Sequence, residues 1–369
     1  MTTPPAAKAY QKGKDIFFYV DLVLNILVLT ILMASGLSIH LRNWAASFTS
    51  HPWVLIAIYF SVFYWTVFVL FLPVSFFQEF TWEHKFNLST QGPVPWFVDH
   101  LKKSALSFGL GILVIEAVFL FLGCFPATWW IWASVFWLFL TLVLSRIMPN
   151  VIIPLFYKYS PVPDQNLRER ILEIFKQCDL KIKDVYLINL SKETKKANAF
   201  LCGLGKSRRI VLSDTLVANF TIPEIGAVVA HEIAHYKHRD IWRMIILNTA
   251  MTVVGFFLMD KFLRSSLPFF GIERLDDIAF LPVFLLGMIG LNLVGMPFLN
   301  AFSRWMEIRA DQFSLKLTKD PGNFISMMNK LGMQNLAEFE PHWLKELMFY
   351  DHPSLARRIR FAEASRAIG

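Results

Sequence analysis

Hydrophobic and polar positions along this chain are sorted into long blocks. Apolar runs occupy residues 16–39, 53–77, 105–125, 127–147, 241–263 and 280–302. Each approaches or exceeds the roughly 20 residues a helix needs to cross a bilayer. The pattern therefore predicts about six transmembrane helices. The first run is long for a signal peptide and others follow it, so a retained helix is expected. Asp21 and Asn25 interrupt it, and polar groups there face a bundle interior, a wet cavity or the interface. Residues 78–104 form a polar connection whose Gly92, Pro93 and Pro95 argue against one continuous helix. Pro126 marks a tight turn between the third and fourth runs, and Pro149 and Pro154 end or kink the fourth.

Between residues 158 and 240 the pattern changes to short periods. LRERILEIFKQCDL repeats its apolar positions as a helix does, whereas VYLINL, NAFLCG and RIVLSD read as strands. The fifth apolar run follows so closely that it reads as a continuation of the preceding helix. Residues 304–369 are polar and helical in pattern, with a basic LARRIR stretch. Four parts result: a membrane domain with four spans (1–157), a soluble α+β insert (158–240), two further spans (241–303) and a helical tail (304–369).

Composition agrees. With 369 residues, 55% hydrophobic and 17% charged, the chain is too apolar for a soluble protein and reads as a mainly α-helical polytopic membrane protein. The net charge of +8 is no nucleic-acid signature, because basic residues flank apolar runs. By the positive-inside rule, the amino terminus, the 78–104 connection with Lys102 and Lys103, the insert and the tail are cytoplasmic. Cys124, Cys178 and Cys202 are scattered and suggest no disulfide framework.

The chemistry concentrates in HEIAHYKHRD, residues 231–240. On a helix, His231 and His235 project from nearly one face and can grip one metal ion, while Glu232 beside them can act as a base on its water. Thr221 with Glu224 forms a capping-box pattern, Pro223 suits a first turn, and Ile225, Val228, Val229 and Ile233 keep an apolar stripe. Two histidines and a water leave zinc one protein ligand short. Glu307, opening EIRAD after the last apolar run, is the candidate; an ordinary membrane-edge glutamate balancing Arg304 and Arg309 is the alternative. Asp311, one turn later, is placed to fix the tautomer of a ligand histidine. The insert is thus a small zincin-like metalloprotease domain ending in this helix, with the tail completing the zinc site.

HEIAH and EIRAD, together with EHKFNLST, IMPNVIIPLFYKYSPVPD, KKANAF, RIVLSDTL and DHPSLARRI, resemble the Ste24-type CAAX prenyl proteases, integral-membrane zinc metalloproteases of the M48 class. The resemblance covers the chain from about Tyr10 onward and points to a prokaryotic member. It implies His231, His235 and Glu307 as zinc ligands, Glu232 as catalytic base, and roles for Asn198, His352 and Arg358. Asn198 and Ala199 would lie on an edge strand able to pair with an extended peptide. His352 and Arg358 would stabilise an oxyanion, against the plainer reading of a helix-start histidine and a solvated arginine. Eukaryotic members carry a further amino-terminal span, so a six-helix, more open version of their chamber is expected. Where they have a histidine five residues after the second ligand, this chain has Asp240, a KHRD ending like that of the heat-shock zincin proteases.

The resulting expectation is a membrane-embedded zinc endopeptidase, CAAX prenyl protease-like, cleaving near the cytoplasmic membrane boundary. Its partners would be the bilayer and a peptide or protein substrate, prenylated or otherwise lipid-anchored, with no nucleic acid. It would reside in the cell membrane of a prokaryote or the endoplasmic reticulum membrane of a eukaryote. Quality-control proteolysis of non-prenylated substrates stays open. So does a transporter or peptide-binding scaffold with structural zinc, which gains nothing from Glu232.

Overall fold

The computed structural model describes residues 3–182, 184–202 and 209–368. Among the described residues, six helices are long and apolar enough to cross a membrane. Helix α1 (Pro5–Ala34) carries Asp21, whose Oδ1 accepts a hydrogen bond from Gln78 at 2.8 Å, so this polar group faces a neighbouring helix. Gly36, at φ 73°, turns the chain into α2 (Leu37–Ala46). Helix α3 (Pro52–Ser75) continues through a π-helical turn into α4 (Trp82–Lys85). Residues 78–85 are therefore helical, and the connection expected over 78–104 shrinks to 86–92. Its prolines start α5 (Pro93–Cys124) instead of breaking it, because a first-turn proline forfeits no intrahelical hydrogen bond. Helix α6 (Trp129–Ile147) passes into a π-helical turn containing Pro149 and then α7 (Ile153–Phe156).

The insert follows. Strands β1 (Tyr159–Pro161), β2 (Val185–Ile188), β3 (Ala199–Cys202) and β4 (Arg209–Ser213) form one sheet in the order β1-β2-β4-β3. The β2–β4 pair is parallel and its neighbours are antiparallel, which leaves β3 as an edge. Gly203, last residue of the expected NAFLCG strand, lies outside the described residues. Helices α8 (Gln165–Gln177), α9 (Asp214–Asn219) and α10 (Ile222–Lys237) belong with this sheet.

Helix α10 does not run on into the next span. His238 and Arg239 interrupt it, Arg239 in the left-handed region at φ 56°, and α11 (Asp240–Phe270) starts anew. After α12 (Leu281–Thr318) come α13 (Pro321–Gln334), α14 (Trp343–Phe349) and α15 (Leu355–Ile368). Two hydrophobic cores result. One, around Tyr59, Trp129 and Phe280, joins the membrane helices; the other, around Ile171, Ile210, Ile225 and Phe324, joins sheet and helices. Helix α12 enters both, with Leu281 and Phe284 in the first and Leu315 in the second. Within the membrane core the buried Asp260 accepts from Trp129 Nε1 and Arg264 Nε, each at 2.9 Å, so its charge is compensated.

Where α1 meets α4 the helices are in close contact: a Cβ on Gly13 would lie 2.0 Å from the Trp82 ring. Gly13→Ala should therefore cost about 1–3 kcal/mol of stability by overpacking, against the gain of up to ~1 kcal/mol expected from helix propensity alone. Thermal unfolding in detergent measures this, and adding Trp82→Ala should recover part of the loss.

Candidate metal centre

Helix α10 is fixed at its start by a complete capping box: the Thr221 side chain takes an amide of the first turn, and the Thr221 N–H donates to Glu224 at 2.8 Å. Ile225, Val229 and Ile233 bury one face. The other face presents His231 and His235, their ring centroids 4.8 Å apart. Helix α12 lies across α10, held by the Ser314 hydroxyl donating to Ala227 O at 2.8 Å, and brings Glu307 to the histidines.

Three ligand atoms converge. His231 Nε2 and His235 Nε2 are 3.1 Å apart, and Glu307 oxygens lie 3.2 Å from the first and 3.1 Å from the second. Glu307 is 5% exposed, and its Oε2 accepts no hydrogen bond among the described residues. Neutral imidazoles turned this way direct lone pairs at one another and at a carboxylate, an arrangement that needs a cation between them. The separations approach the ~3.3 Å edge of a tetrahedron drawn with ordinary zinc–ligand lengths, so this donor set fits zinc. The carboxylates make this a place for positive charge: burial disfavours charge on His231, yet Asp311 and Glu307 outweigh it and push its pKa up to about 10, so without a metal the ring holds a proton that a metal ion must displace.

Each histidine is backed by a carboxylate. Asp311 Oδ1 lies 3.0 Å from His231 Nδ1, and the carboxylate is gripped by Arg358, whose Nε donates to Oδ2 at 2.7 Å and Nη2 to Oδ1 at 2.6 Å. Asp240 Oδ2 lies 3.0 Å from His235 Nδ1, with Arg243 3.4 Å from its other oxygen. Asp240 is a site residue that sequence reasoning missed. On an uninterrupted helix it would point roughly 140° away from His235. The left-handed Arg239 restarts the helix and brings it back.

Glu232 faces the same centre. Burial raises its pKa and nearby Glu307 adds to this, while His231, His235 and the Leu201 N–H act in the opposite sense. The Leu201 contact follows from the ladder. Asn198 O accepts from Ser213 N at 2.9 Å, so the alternate residues Ala199 and Leu201 direct their main-chain groups to the open edge of β3. Asn198 itself spends its main chain inward, its N–H donating to Ser213 Oγ at 2.9 Å, and only its exposed side chain is left for the site.

A cavity of about 380 Å³ adjoins the centre, lined among others by Asn198, Ala199, Glu232, Asn335, His352 and Arg358. His352 is half exposed, with Nε2 3.3 Å from Glu307 Oε1 and Nδ1 2.7 Å from Asp351. Arg304, which the alternative reading of Glu307 would have paired with it, donates to Glu346 O at 2.8 Å and Tyr350 O at 2.5 Å. It caps α14 and fixes the approach to His352.

Comparison with known proteins places this geometry in context. Residues 161–366 match the profile of peptidase family M48, and residues 4–158 match that of the CAAX prenyl protease N-terminal domain. The latter is described as having five membrane helices, where this chain has four long apolar ones over that range. The uncharacterized metalloprotease YhfN of Bacillus subtilis is 26% identical over 97% of this chain and 84% of its own length. A CAAX prenyl protease 1 homolog of Arabidopsis thaliana is 30% identical, covering 78% of this chain and 69% of its own. The crystal structure of S. mikatae Ste24p superimposes with a TM-score of 0.87 at 23% identity, over 97% of this chain and 88% of that one.

Purified protein should hold about one zinc per chain, and Glu307→Ala should lose most of it when metal content is measured. Asp240→Asn and Asp311→Asn, which take the negative charge from behind each histidine, should each weaken zinc binding by roughly 10–100-fold in chelator competition.

Proposed function

The chain belongs to peptidase family M48, and from that premise we propose that it is a membrane-embedded zinc endopeptidase cutting extended peptides at the cytoplasmic boundary. The observation that carries this reading is a convergent His231–His235–Glu307 donor set beside a carboxylate, Glu232, and a strand edge open at Ala199. A transporter or scaffold with structural zinc has no use for Glu232 there.

Bound by His231, His235 and Glu307, zinc supplies a Lewis acid that polarises a peptide carbonyl and acidifies water. Glu232 takes the proton from the attacking water on a carboxylate oxygen and passes it to the leaving amine. His352, half exposed at the cavity, donates Nε2–H to the developing oxyanion. Arg358 acts from behind: two of its N–H groups hold Asp311, and its positive charge lies 3.6 Å from Glu307. Asp311 in turn keeps His231 oriented. The substrate pairs with Ala199 as an added strand, while Asn198 reaches it with its side chain.

Such pairing is blind to side chains, so peptide specificity is broad. The apolar spans beside the centre favour substrates with an apolar or lipid-modified tail, each buried methylene contributing ~0.8 kcal/mol. The relatives named as CAAX prenyl proteases make a prenylated carboxy-terminal peptide the first substrate to try. Lys8, Lys12, Lys14, Lys102 and Lys103 support a cytoplasmic amino terminus and a cytoplasmic centre.

Glu232→Gln should lower turnover of prenylated and unprenylated peptides by at least ~100-fold while zinc content stays at the wild-type level. Equal cleavage by this variant, followed by product mass, would end the endopeptidase reading. Proline scanned through the substrate should slow cleavage strongly at positions facing Ala199 and little elsewhere. For topology, single cysteines near Lys8 and Arg274 should label from opposite sides of the membrane; labelling from one side would overturn the six-span arrangement.

A further inference from the structure

The EHKFNLST segment, residues 83–90, takes no part in the metal chemistry, yet it grips the chain that leads into β3. Glu83 stands on α4 with its side chain 12% exposed. It accepts a hydrogen bond from the Tyr10 hydroxyl of α1 at 2.6 Å and lies 2.9 Å from Lys196 Nζ and 3.3 Å from Lys14 Nζ. Lys196 Nζ also donates to the Tyr10 oxygen at 2.9 Å. Main-chain bonds run alongside: Lys195 N–H donates to Leu88 O at 2.8 Å, and Thr90 N–H to Glu193 O at 3.1 Å. From the other side, Asn335 Oδ1 accepts Ala197 N–H at 3.0 Å. Lys196 is two residues before Asn198 and three before Ala199, where the open edge begins.

The charges make Glu83 the member on which this cluster depends. Itself largely buried, it lies between two partly exposed ammonium groups, and without its carboxylate Lys14 and Lys196 would face each other with no anion between them. The main-chain bonds and the Lys196–Tyr10 hydrogen bond would remain, but the anion that draws Lys196 in between α1 and α4 would be gone. We propose that Glu83 is a positioning residue: through Lys196 it sets the height of the β3 edge relative to Glu232, so that the membrane domain fixes the register in which a peptide pairs. This inference rests on the reading of β3 as the peptide-pairing edge.

The test uses the full-length protein in detergent, an internally quenched, unmodified extended peptide, and amide hydrogen exchange on metal-free protein. Glu83→Gln should raise KM about ten-fold with kcat within about three-fold and zinc content unchanged. Lys196→Met should do the same, the double variant should be no worse than either single one, and Lys196→Arg should stay near wild type. Amides of residues 197–202 should exchange several-fold faster in Glu83→Gln, with α10 unaffected. Wild-type KM and exchange in Glu83→Gln would overturn the proposal. So would a uniform loss of kcat, zinc and protection, which marks a merely structural residue. If the wild-type protein cleaves no peptide, the endopeptidase reading fails, and the exchange comparison still decides the role of Glu83.

Discussion

Two imidazole nitrogens and a carboxylate held within 3.2 Å of one another, with His231 and Glu307 buried, are unstable company unless a positive charge sits among them. Much of the fold supports that arrangement. The capping box and the buried stripe fix α10. The Ser314 contact fixes α12 across it, and a carboxylate with an arginine behind it stands at the back of each histidine. Removing Asp311 would leave the largely buried Arg358 uncompensated as well as His231 unanchored, so that layer has a fold cost as well as a metal cost, whereas Arg243 behind Asp240 is partly exposed to water.

The same arrangement explains how membrane and protease parts are joined. Helix α12 is one continuous element that packs in both cores and delivers Glu307 and Asp311 between them. On its way, Asn300 donates to Met348 O at 2.6 Å, and Arg304 caps the helix leading to His352. The break at Arg239 lets α11 leave for the membrane while its first residue, Asp240, stays behind as the partner of His235. The Glu83 cluster adds a third tie, from α1 and α4 to the edge strand.

Where physics is periodic, the sequence was legible. Apolar blocks gave the membrane helices, helical spacing put His231 and His235 on one face, and one-turn spacing put Asp311 behind Glu307. Alternating segments gave three of the four strands; Tyr159–Pro161 was too short to signal itself. What escaped depended on conformation rather than period. A single left-handed residue re-aimed Asp240, a helix began at Pro93, well ahead of the apolar run from residue 105, and π-helical turns carried helices past their expected ends. Long-range partners escaped for another reason: nothing local links Arg304 to α14, Arg358 to Asp311 or Glu83 to Lys196.

Whether the centre is open or closed decides between a catalyst and a structural site, and His352, 3.3 Å from Glu307, is the group that could close it. X-ray absorption at the zinc edge counts imidazole ligands directly. Two imidazoles with the remaining light-atom ligands at roughly 2.0–2.1 Å are predicted, and the spectrum should be unchanged by His352→Ala. Three imidazoles per zinc, one of them lost in His352→Ala, would contradict a catalytic centre with a free position.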